Sequence, residues 1–206
     1  MRPSRNITRE LSELQAACRA CKRCVEEGII PEAGPSLEGT ADAVFYLVGQ
    51  APGPVEAVYH RPFMGRAGRI LWRWMARAGF RSEEEFRRFT YIAALMRCFP
   101  GRNPSGKGDR PPPSAAIRNC SVWLEAELRL LRPPVIVPVG QLAIRRFLGP
   151  GSLEDRVGKT FGDNPLYVPL PHPSGQSRWL NDPANRERLE AAIAHLSELR
   201  ARLLAA

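Results

Sequence analysis

The stretch Ala43-Val-Phe-Tyr-Leu-Val48, which runs on into Gly49-Gln-Ala-Pro-Gly53, decides the fold of this chain. Its first half is an unbroken run of apolar, aromatic and β-branched residues, a pattern typical of a strand buried on both faces. The glycines and proline of its second half favour a turn, because they suit backbone conformations that a regular strand does not use. The stretch therefore predicts a buried strand that ends in a tight turn.

Three further apolar runs predict strands, and segments with helical periodicity lie between them. The strands are predicted at Phe89–Met96, Val135–Val139 and Leu166–Leu170. The helices are predicted over Thr8–Val25, Ala67–Ala78, Ser114–Leu131, from Gly140 through Leu148, and over Pro183–Leu204, with Thr8 and Ser114 as N-caps. Because alternating strands and helices form parallel β-α-β units, we expect an α/β fold whose mainly parallel sheet is covered on both faces.

The length and composition of the chain set limits on its class. Its 206 residues suit one domain, so we expect residues 1–206 to fold as a single unit. A hydrophobic fraction of 44% is close to the globular average and excludes wholesale disorder. The apolar runs are far shorter than the roughly 18 residues of a transmembrane helix, and the charged N-terminal segment lacks the apolar stretch of a signal peptide. We therefore expect a soluble, cytoplasmic monomer without a membrane partner.

The charge balance favours a polyanionic partner. Thirty lysines and arginines against 21 acidic residues give a net charge of +9, and arginine far outnumbers lysine. Arginine suits phosphate because its planar guanidinium donates two hydrogen bonds at once. Between Phe99 and Pro113, five of 15 residues are proline, and Arg102, Lys107 and Arg110 add positive charge. This segment is predicted to be an exposed basic loop without regular structure, suited to contact with a nucleic-acid backbone.

Five cysteines in an intracellular protein point to metal or cluster binding, or to catalysis, more than to disulfides. Cys21 and Cys24 stand a helical turn apart, Cys98 follows the second predicted strand, and Cys120 lies inside the next predicted helix. Four thiolates from these stretches can bind zinc or a [4Fe–4S] cluster, and their spacing does not distinguish the two. Cys18 pairs equally well with Cys21, but it lies on an apolar helix face, so we expect it to pack. Burial as small hydrophobic residues is the alternative for the other four.

Two unusual turns stand at the carboxyl ends of predicted strands, where parallel sheets bind their ligands. The first is the turn at residues 49–53, whose backbone amides and Gln50 can form hydrogen bonds with a ligand. The second is Pro171-His-Pro-Ser174, in which two prolines restrict the chain around His172. We expect the two turns to converge in space, although more than 100 residues separate them.

Several motifs follow one another along the chain: Val48-Gly-Gln-Ala-Pro-Gly53, Glu56, Arg61-Pro-Phe-Met-Gly-Arg-Ala-Gly68, the four cysteines and His172-Pro-Ser174. In this combination they resemble the uracil-DNA glycosylase superfamily, and its iron–sulfur families 4 and 5 most of all. The resemblance spans Cys21 to Ser174, in order.

The resemblance implies a fold, a cofactor and a reaction. The fold is a three-layer α/β/α sandwich around a short, mainly parallel four-stranded sheet. The cofactor is a [4Fe–4S] cluster on Cys21, Cys24, Cys98 and Cys120, with zinc as the alternative. The reaction is removal of a damaged base, above all uracil, from DNA, by flipping of the nucleotide and hydrolysis of the N-glycosidic bond. DNA with uracil or another deaminated base is the expected partner, and an abasic site is the expected product, because the matching motifs contain no lysine.

The resemblance also suggests roles for single residues. His172 would donate a hydrogen bond to the departing base, Gln50 would orient the attacking water, and Glu56 is a more distant alternative to Gln50. The residues expected to bind the base are Gly49, Ala51, Gly53, Phe63, Ala94 and Ser174, with Phe63 as the stacking platform. The residues expected to contact DNA are Arg66, Gly68, Arg102, Lys107 and Arg178, the last from a loop that enters the duplex.

Two positions depart from the family 4 pattern and keep other functions open. Family 4 usually has an acid where Gln50 stands, and an asparagine where Ala94 stands, in which respect the chain is more similar to family 5. One alternative function is therefore a catalytically weak protein that binds damaged DNA or abasic sites. Another is a four-cysteine metal domain that acts on a free nucleobase or nucleotide. Covalent capture of the sugar by a histidine is disfavoured, because no matching insertion precedes His172.

Overall fold

A parallel four-stranded sheet forms the centre of the protein. The computed structural model describes residues 5–106, 108–174 and 178–204. The strands are β1 (Phe45–Gly49), β2 (Thr90–Ala94), β3 (Val135–Pro138) and β4 (Leu166–Tyr167). Their order in the sheet is β2-β1-β3-β4, and each neighbouring pair is parallel. This arrangement confirms the predicted α/β fold class.

Helices connect the strands and cover both faces of the sheet. They are α1 (Arg5–Arg19), α2 (Arg23–Glu26), α3 (Pro54–Tyr59), α4 (Arg66–Arg77), α5 (Glu83–Phe89), α6 (Ser114–Leu131), α7 (Gln141–Leu148), α8 (Leu153–Arg156) and α9 (Pro183–Leu204), with a 3-10 turn at Arg178–Asn181. Within the described residues, no helix combines the length and the apolar character that crossing a bilayer requires.

The sheet has a hydrophobic core on each face, because alternate residues of a strand point in opposite directions. Phe45 and Leu47 of β1 belong to one core, which α4 and α9 complete with residues such as Trp74. Tyr46 of β1 belongs to the other core, which α1 and α6 complete with residues such as Leu124. The molecule is therefore a helix–sheet–helix sandwich in three layers, as the resemblance implied.

Several element boundaries differ from the sequence predictions. The first predicted helix is interrupted: α1 ends at Arg19 and α2 begins at Arg23, so Cys21 lies in the break. Thr8 is inside α1 rather than at its N-cap, because α1 begins at Arg5. Ser114 is the first helical residue of α6 and gives no side-chain cap, since Pro113 holds the cap position.

The proline-rich segment is more ordered than predicted. Arg102 and Asp109 form an antiparallel bridge. The N–H of Asn103 donates to the carbonyl of Gly108 at 3.0 Å, and the N–H of Arg110 donates to the carbonyl of Gly101 at 2.9 Å. The segment thus closes on itself as a small hairpin, named here the 101–110 hairpin, and its backbone pairing fixes the direction of its side chains.

Candidate active site and cysteine cavity

A cleft of about 630 Å³ opens at the carboxyl ends of β1 and β2. Its walls are residues 49–56 after β1, Ala93 and Ala94 at the end of β2, the 101–110 hairpin, and His172 with Ser174 after β4. The two turns that the sequence places at strand ends therefore line one cleft. Of the predicted site residues, this cleft gathers Gln50, His172, Glu56, Gly49, Ala51, Gly53, Phe63, Ala94, Ser174, Arg66 and Arg102.

The side-chain amide of Gln50 and the Cβ of His172 both lie beside Gly140, the residue that precedes α7. A Cβ built on Gly140 would collide with the side-chain amide of Gln50 and would lie 3.3 Å from the Cβ of His172. Gly140 also has a φ of +86°, which a residue with a side chain rarely adopts. The sequence analysis gave Gly140 no role in the site. Its only signal is a glycine directly after an apolar strand.

Phe63 forms part of the cleft in a strained conformation. Its φ of +55° is in the left-handed region, which is uncommon for a residue other than glycine and is concentrated at functional sites. Its ring approaches Gly49 so closely that a Cβ on Gly49 would lie 3.3 Å from Cζ of Phe63. The ring therefore lies directly against the end of β1, where a stacking platform is predicted.

A buried arginine holds the backbone of Phe63 in this conformation. The guanidinium of Arg87, only 6% exposed, donates to the carbonyl of Pro62 at 3.2 Å and to that of Phe63 at 3.4 Å. Glu38 accepts from Arg87 at 2.5 Å and from Arg61 at 2.9 Å. This charged network, which the sequence analysis did not identify, offsets the strain at Phe63.

Gly68 does not fit its predicted contact with DNA. It is buried in the first turns of α4, and a Cβ there would collide with the carbonyl oxygen of Phe63. The glycine is needed because helix and loop approach each other without room for a side chain. Gly68 therefore packs against the backbone of Phe63, and its burial leaves it no exposed surface for contact with a ligand.

Glu56 joins two backbone segments of the cleft. It is buried, its Oε2 accepts the N–H of Gly53 at 3.1 Å, and its Oε1 accepts the N–H of Gly65 at 2.8 Å. Both carboxylate oxygens are therefore engaged. To act as a base, the role given to it as an alternative, Glu56 would have to release one of these bonds.

His172 is half-buried, and its partial removal from water lowers the pKa of its imidazole below the ordinary value. The side chain is therefore neutral at neutral pH, with one nitrogen as a donor and the other as an acceptor. A neutral imidazole can donate a hydrogen bond to an oxygen on which negative charge develops.

Three arginines and one aspartate give the cleft its charged groups besides Glu56. Arg66, Arg102 and Arg110 line it, and Asp109 pairs with Arg102 at 3.3 Å. Two predicted DNA contacts lie elsewhere: Lys107 is outside the described residues, and Arg178 is exposed at the start of the 3-10 turn, away from the cleft lining. Residues 175–177 of the predicted loop that enters the duplex are also outside the described residues.

Comparison with known protein families identifies the family of this chain. The sequence profile described as "Uracil DNA glycosylase superfamily" matches residues 37–197, which include both turns and the hairpin. The chain belongs to the uracil-DNA glycosylase superfamily.

Within the superfamily, the chain is similar to type-4 enzymes over most of its length. It is 28% identical over 199 residues to the type-4 uracil-DNA glycosylase of Archaeoglobus fulgidus, and 92% of each chain is covered. It is 33% identical over 111 residues to the type-4 uracil-DNA glycosylase of Thermotoga maritima, with 54% of this chain and 52% of that protein covered. These similarities confirm the resemblance to the iron–sulfur branch, family 4.

Similarity to a type-5 enzyme is confined to a shorter segment. The chain is 36% identical over 61 residues to the type-5 uracil-DNA glycosylase of Pyrobaculum aerophilum, which covers 30% of this chain and 24% of that protein.

The cysteines of this superfamily member surround a second, small cavity. Cys21, Cys24, Cys98 and Cys120 line it together with Cys18, and all five are free thiols. Burial raises the pKa values of Cys24 and Cys98, and it raises the pKa of Cys120 to about 11 and that of Cys18 to about 12. In the described parts of the chain, no group of three or more His, Cys, Asp or Glu side chains is arranged to hold a single metal ion.

The four cysteines other than Cys18 supply a donor set that suits either an iron–sulfur cluster or zinc. The cavity offers sulfur ligands from three separated segments, and both groups are commonly bound by four cysteine thiolates. Cys18 is fully buried in the core beneath α1, in keeping with its expected packing role.

A buried ion pair adjoins the cysteine cavity. The guanidinium of Arg97 donates to Glu127 at 2.6 Å, and the two side chains are 1% and 0% exposed. Tyr91 donates to the same carboxylate at 2.9 Å, as does Tyr46. The backbone N–H of Arg97 donates to the sulfur of Cys120 at 3.4 Å, so the pair and the thiols belong to one buried region. The sequence analysis did not identify this network.

Proposed function

We propose that this chain is a uracil-DNA glycosylase that hydrolyses the N-glycosidic bond of uracil in DNA and leaves an abasic site. The observation that carries the proposal is that Gln50 and His172 both lie beside Gly140, in a cleft bordered by Phe63. Similarity to a type-4 uracil-DNA glycosylase over 92% of the chain supports the same reaction. Because a base inside a duplex is out of reach, the nucleotide must flip into the cleft, at a cost of about a few kcal/mol.

His172 is proposed to stabilise the departing base. As the bond from sugar to base stretches, negative charge grows on the oxygens of the uracil. A neutral His172 donates a hydrogen bond to one of these oxygens, and backbone amides after Gly49 add further donors. Preorganised donors of this kind typically lower a barrier by about 2.7–4 kcal/mol each. Phe63 stacks on the flipped base and aligns it with these donors.

Gln50 is proposed to orient the attacking water. Its side-chain amide lies over Gly140, close to His172, and it can both donate to and accept from a water molecule. Glu56 is committed to the amides of Gly53 and Gly65, which favours Gln50 over Glu56 for this task.

Arginines of the cleft are proposed to bind the phosphates that flank the flipped nucleotide. Arg66 and Arg102 line the cleft, and Arg178 remains a predicted contact outside its lining. Lys107 remains a predicted contact as well and lies outside the described residues. Because each arginine–phosphate contact releases about one counterion, Arg66→Ala should lower the salt dependence of DNA binding by a slope of about one. Arg186→Ala is the matched control, since Arg186 is bound to carbonyls of the 3-10 turn. If the affinity for uracil-containing DNA did not depend on salt concentration, the alternative function on a free nucleobase would be favoured instead.

Cys21, Cys24, Cys98 and Cys120 are proposed to hold a [4Fe–4S] cluster. When bound, such a group supplies a structural cross-link between chain segments. The chain itself contributes thiols from the break after α1, from the segment after β2 and from α6. Iron and sulfide contents near four per chain, with visible absorption from sulfur–iron bonds, would support the assignment, and stoichiometric zinc in their place would refute it.

A single-domain, cytoplasmic monomer is proposed as the working form. Four cysteines that hold a cluster instead of forming disulfides would suit a reducing compartment. Size-exclusion chromatography with light scattering would test the monomer.

A damaged-DNA binding protein with little catalysis is the second candidate, and one observation favours it. No carboxylate stands at Gln50 or Ala51, and the nearby Glu56 has both oxygens engaged. Such a protein would bind uracil or abasic sites with little turnover.

An excision assay separates the two functions. The protein is incubated with an oligonucleotide that contains one uracil, and alkali then reveals abasic sites as strand breaks. The proposal predicts alkali-dependent breaks at the uracil and free uracil in solution, with no breaks before alkali. His172→Ala should slow excision on the order of 10²–10³-fold, whereas His195→Ala, in α9, should not. Tight binding without breaks would establish the second candidate.

A further inference from the structure

Asp109 is a carboxylate of the cleft that neither the motifs nor the predicted roles include. It stands on the 101–110 hairpin, and its backbone bridge with Arg102 fixes its place on the cleft wall. Its Oδ1 pairs with Arg102 at 3.3 Å. Its Oδ2 lies 3.6 Å from the position that a Cβ on Gly53 would take, so this oxygen faces the turn at residues 49–53.

Asp109 differs from Glu56, the other acid of the cleft, because one of its carboxylate oxygens has no ion-pair partner among the described residues. Among the described residues that line the cleft, only Glu56 and Asp109 carry a carboxylate. Both oxygens of Glu56 accept backbone N–H groups, whereas in the described part of the chain the one ion-pair partner of Asp109 is Arg102, through Oδ1. The free Oδ2 can therefore accept a proton without breaking a bond that holds the cleft together.

We propose that Asp109 is the general base that takes a proton from the attacking water, an inference that rests on the proposed glycosylase function. The bond between the sugar C1′ and the uracil nitrogen breaks, and its electron pair leaves with the base. The water oxygen forms a bond to C1′ and gives one proton to Oδ2 of Asp109. Gln50 orients this water. The uracil anion takes up a proton, Asp109 returns its own to solvent, and the products are uracil and an abasic sugar.

The charged neighbours of Asp109 suit this role. Arg102 and Arg110 share its hairpin, Arg66 comes from α4, Glu56 from α3, and His172 from the segment after β4. Arg102 holds the carboxylate through one oxygen and leaves the other free. The arginines also bring phosphates close, so the carboxylate opposes DNA binding while it serves the reaction. Catalysis and affinity should therefore respond in opposite directions when Asp109 loses its charge.

Single-turnover excision of uracil by Asp109→Asn tests the proposal. The substitution keeps the size of the side chain and removes the base. General base catalysis typically contributes about 10²–10⁴-fold, so the rate of the chemical step should fall on the order of 10²-fold. Binding of uracil-containing DNA should stay equal or become tighter, because a negative charge leaves an arginine-lined cleft.

Two further variants exclude a merely structural effect. Asp109→Glu keeps a carboxylate and should retain part of the rate. Asp163→Asn removes an exposed acid outside the cleft and should leave rate and affinity unchanged.

The outcomes separate this inference from the proposed function. An active parent with an unchanged rate of excision in Asp109→Asn overturns the role of Asp109 and leaves the glycosylase function intact. A parent that produces no abasic sites overturns both.

Discussion

The cleft and the cysteine cavity are built in opposite ways, although both adjoin the end of β2. In the cleft, short turns are fixed by hydrogen bonds to the backbone and by glycines that let segments approach, as Glu56 and Gly140 illustrate. In the cysteine region, side-chain interactions hold the chain segments together. They involve thiols, two tyrosines and a fully buried ion pair between Arg97 and Glu127. The difference indicates that substitutions in the cleft should change activity first, and substitutions around the cysteines should change stability first.

The largest expected effect is on stability, at Arg97. Arg97→Met leaves Glu127 buried without its counter-charge, and breaking a buried pair in this way typically costs about 3–5 kcal/mol of unfolding free energy. Urea denaturation of preparations with equal iron content measures the loss. Arg61→Met is the matched control, because Arg61 also pairs with a glutamate but is 43% exposed, and such pairs contribute only about 0–1 kcal/mol.

A double variant completes this test. Arg97→Met combined with Glu127→Leu removes both charges, so much of the lost stability should return. If Arg97→Met and Arg61→Met destabilise equally, the contrast between the two regions is wrong.

The next effect is on activity, at Gly140. Gly140→Ala places a methyl group against the amide of Gln50 and should slow uracil excision on the order of 10²-fold, since small displacements of reacting groups are costly. It should also lose about 1–3 kcal/mol of stability, because the φ of +86° is strained for alanine.

Gly149→Ala separates collision from strain at Gly140. Gly149 has a similar φ of +74°, but a Cβ there meets no atom within 4 Å. This control should share the stability loss and keep full activity. Equal activity loss in both variants would mean that strain, not the contact with Gln50, is responsible.

The smallest expected effect is a pH dependence of stability from His172. Its folded pKa is lowered by burial, so the unfolded chain binds the proton more readily. The contribution of His172 to stability is therefore complete above the unfolded pKa, near 6.5, and is lost as pH falls through the folded pKa. Each unit of lowering corresponds to about 1.4 kcal/mol. Thermal unfolding from pH 8 to pH 5 should show a shallower acid loss in His172→Gln than in the parent, and parallel curves would contradict it.

The fold could be predicted from the sequence because its signals are local. The run at residues 43–48 and the three other apolar runs each contain enough β-branched and apolar residues to indicate a buried strand. The short helices α3 and α5 escaped prediction because they span only six and seven residues, too few for a clear periodic pattern. The break in the first predicted helix after Arg19 was not predicted, because the helical spacing of apolar residues continues across it.

The candidate site was predictable in part, for reasons of topology. Gln50 and His172 stand at strand ends, and parallel strands bring their ends to one edge. Gly140, Asp109 and Arg97 were missed because each acquires its importance from a partner distant in sequence. Arg97 and Glu127 are 30 positions apart, and no sequence pattern indicates that they pair. The 101–110 hairpin, which places Asp109 on the cleft wall, is held by backbone hydrogen bonds. A segment rich in proline and arginine does not predict such bonds.

The attachment of Glu56 to Gly53 and Gly65 has a consequence for how lesions are chosen. One side chain joins the backbone at Gly53 to the backbone at Gly65, so these two parts of the cleft lining are held at a fixed separation. A fixed opening of this kind would select bases by their size and shape as they enter the cleft. We therefore expect discrimination among bases to be set by the dimensions of the opening before any bond is strained.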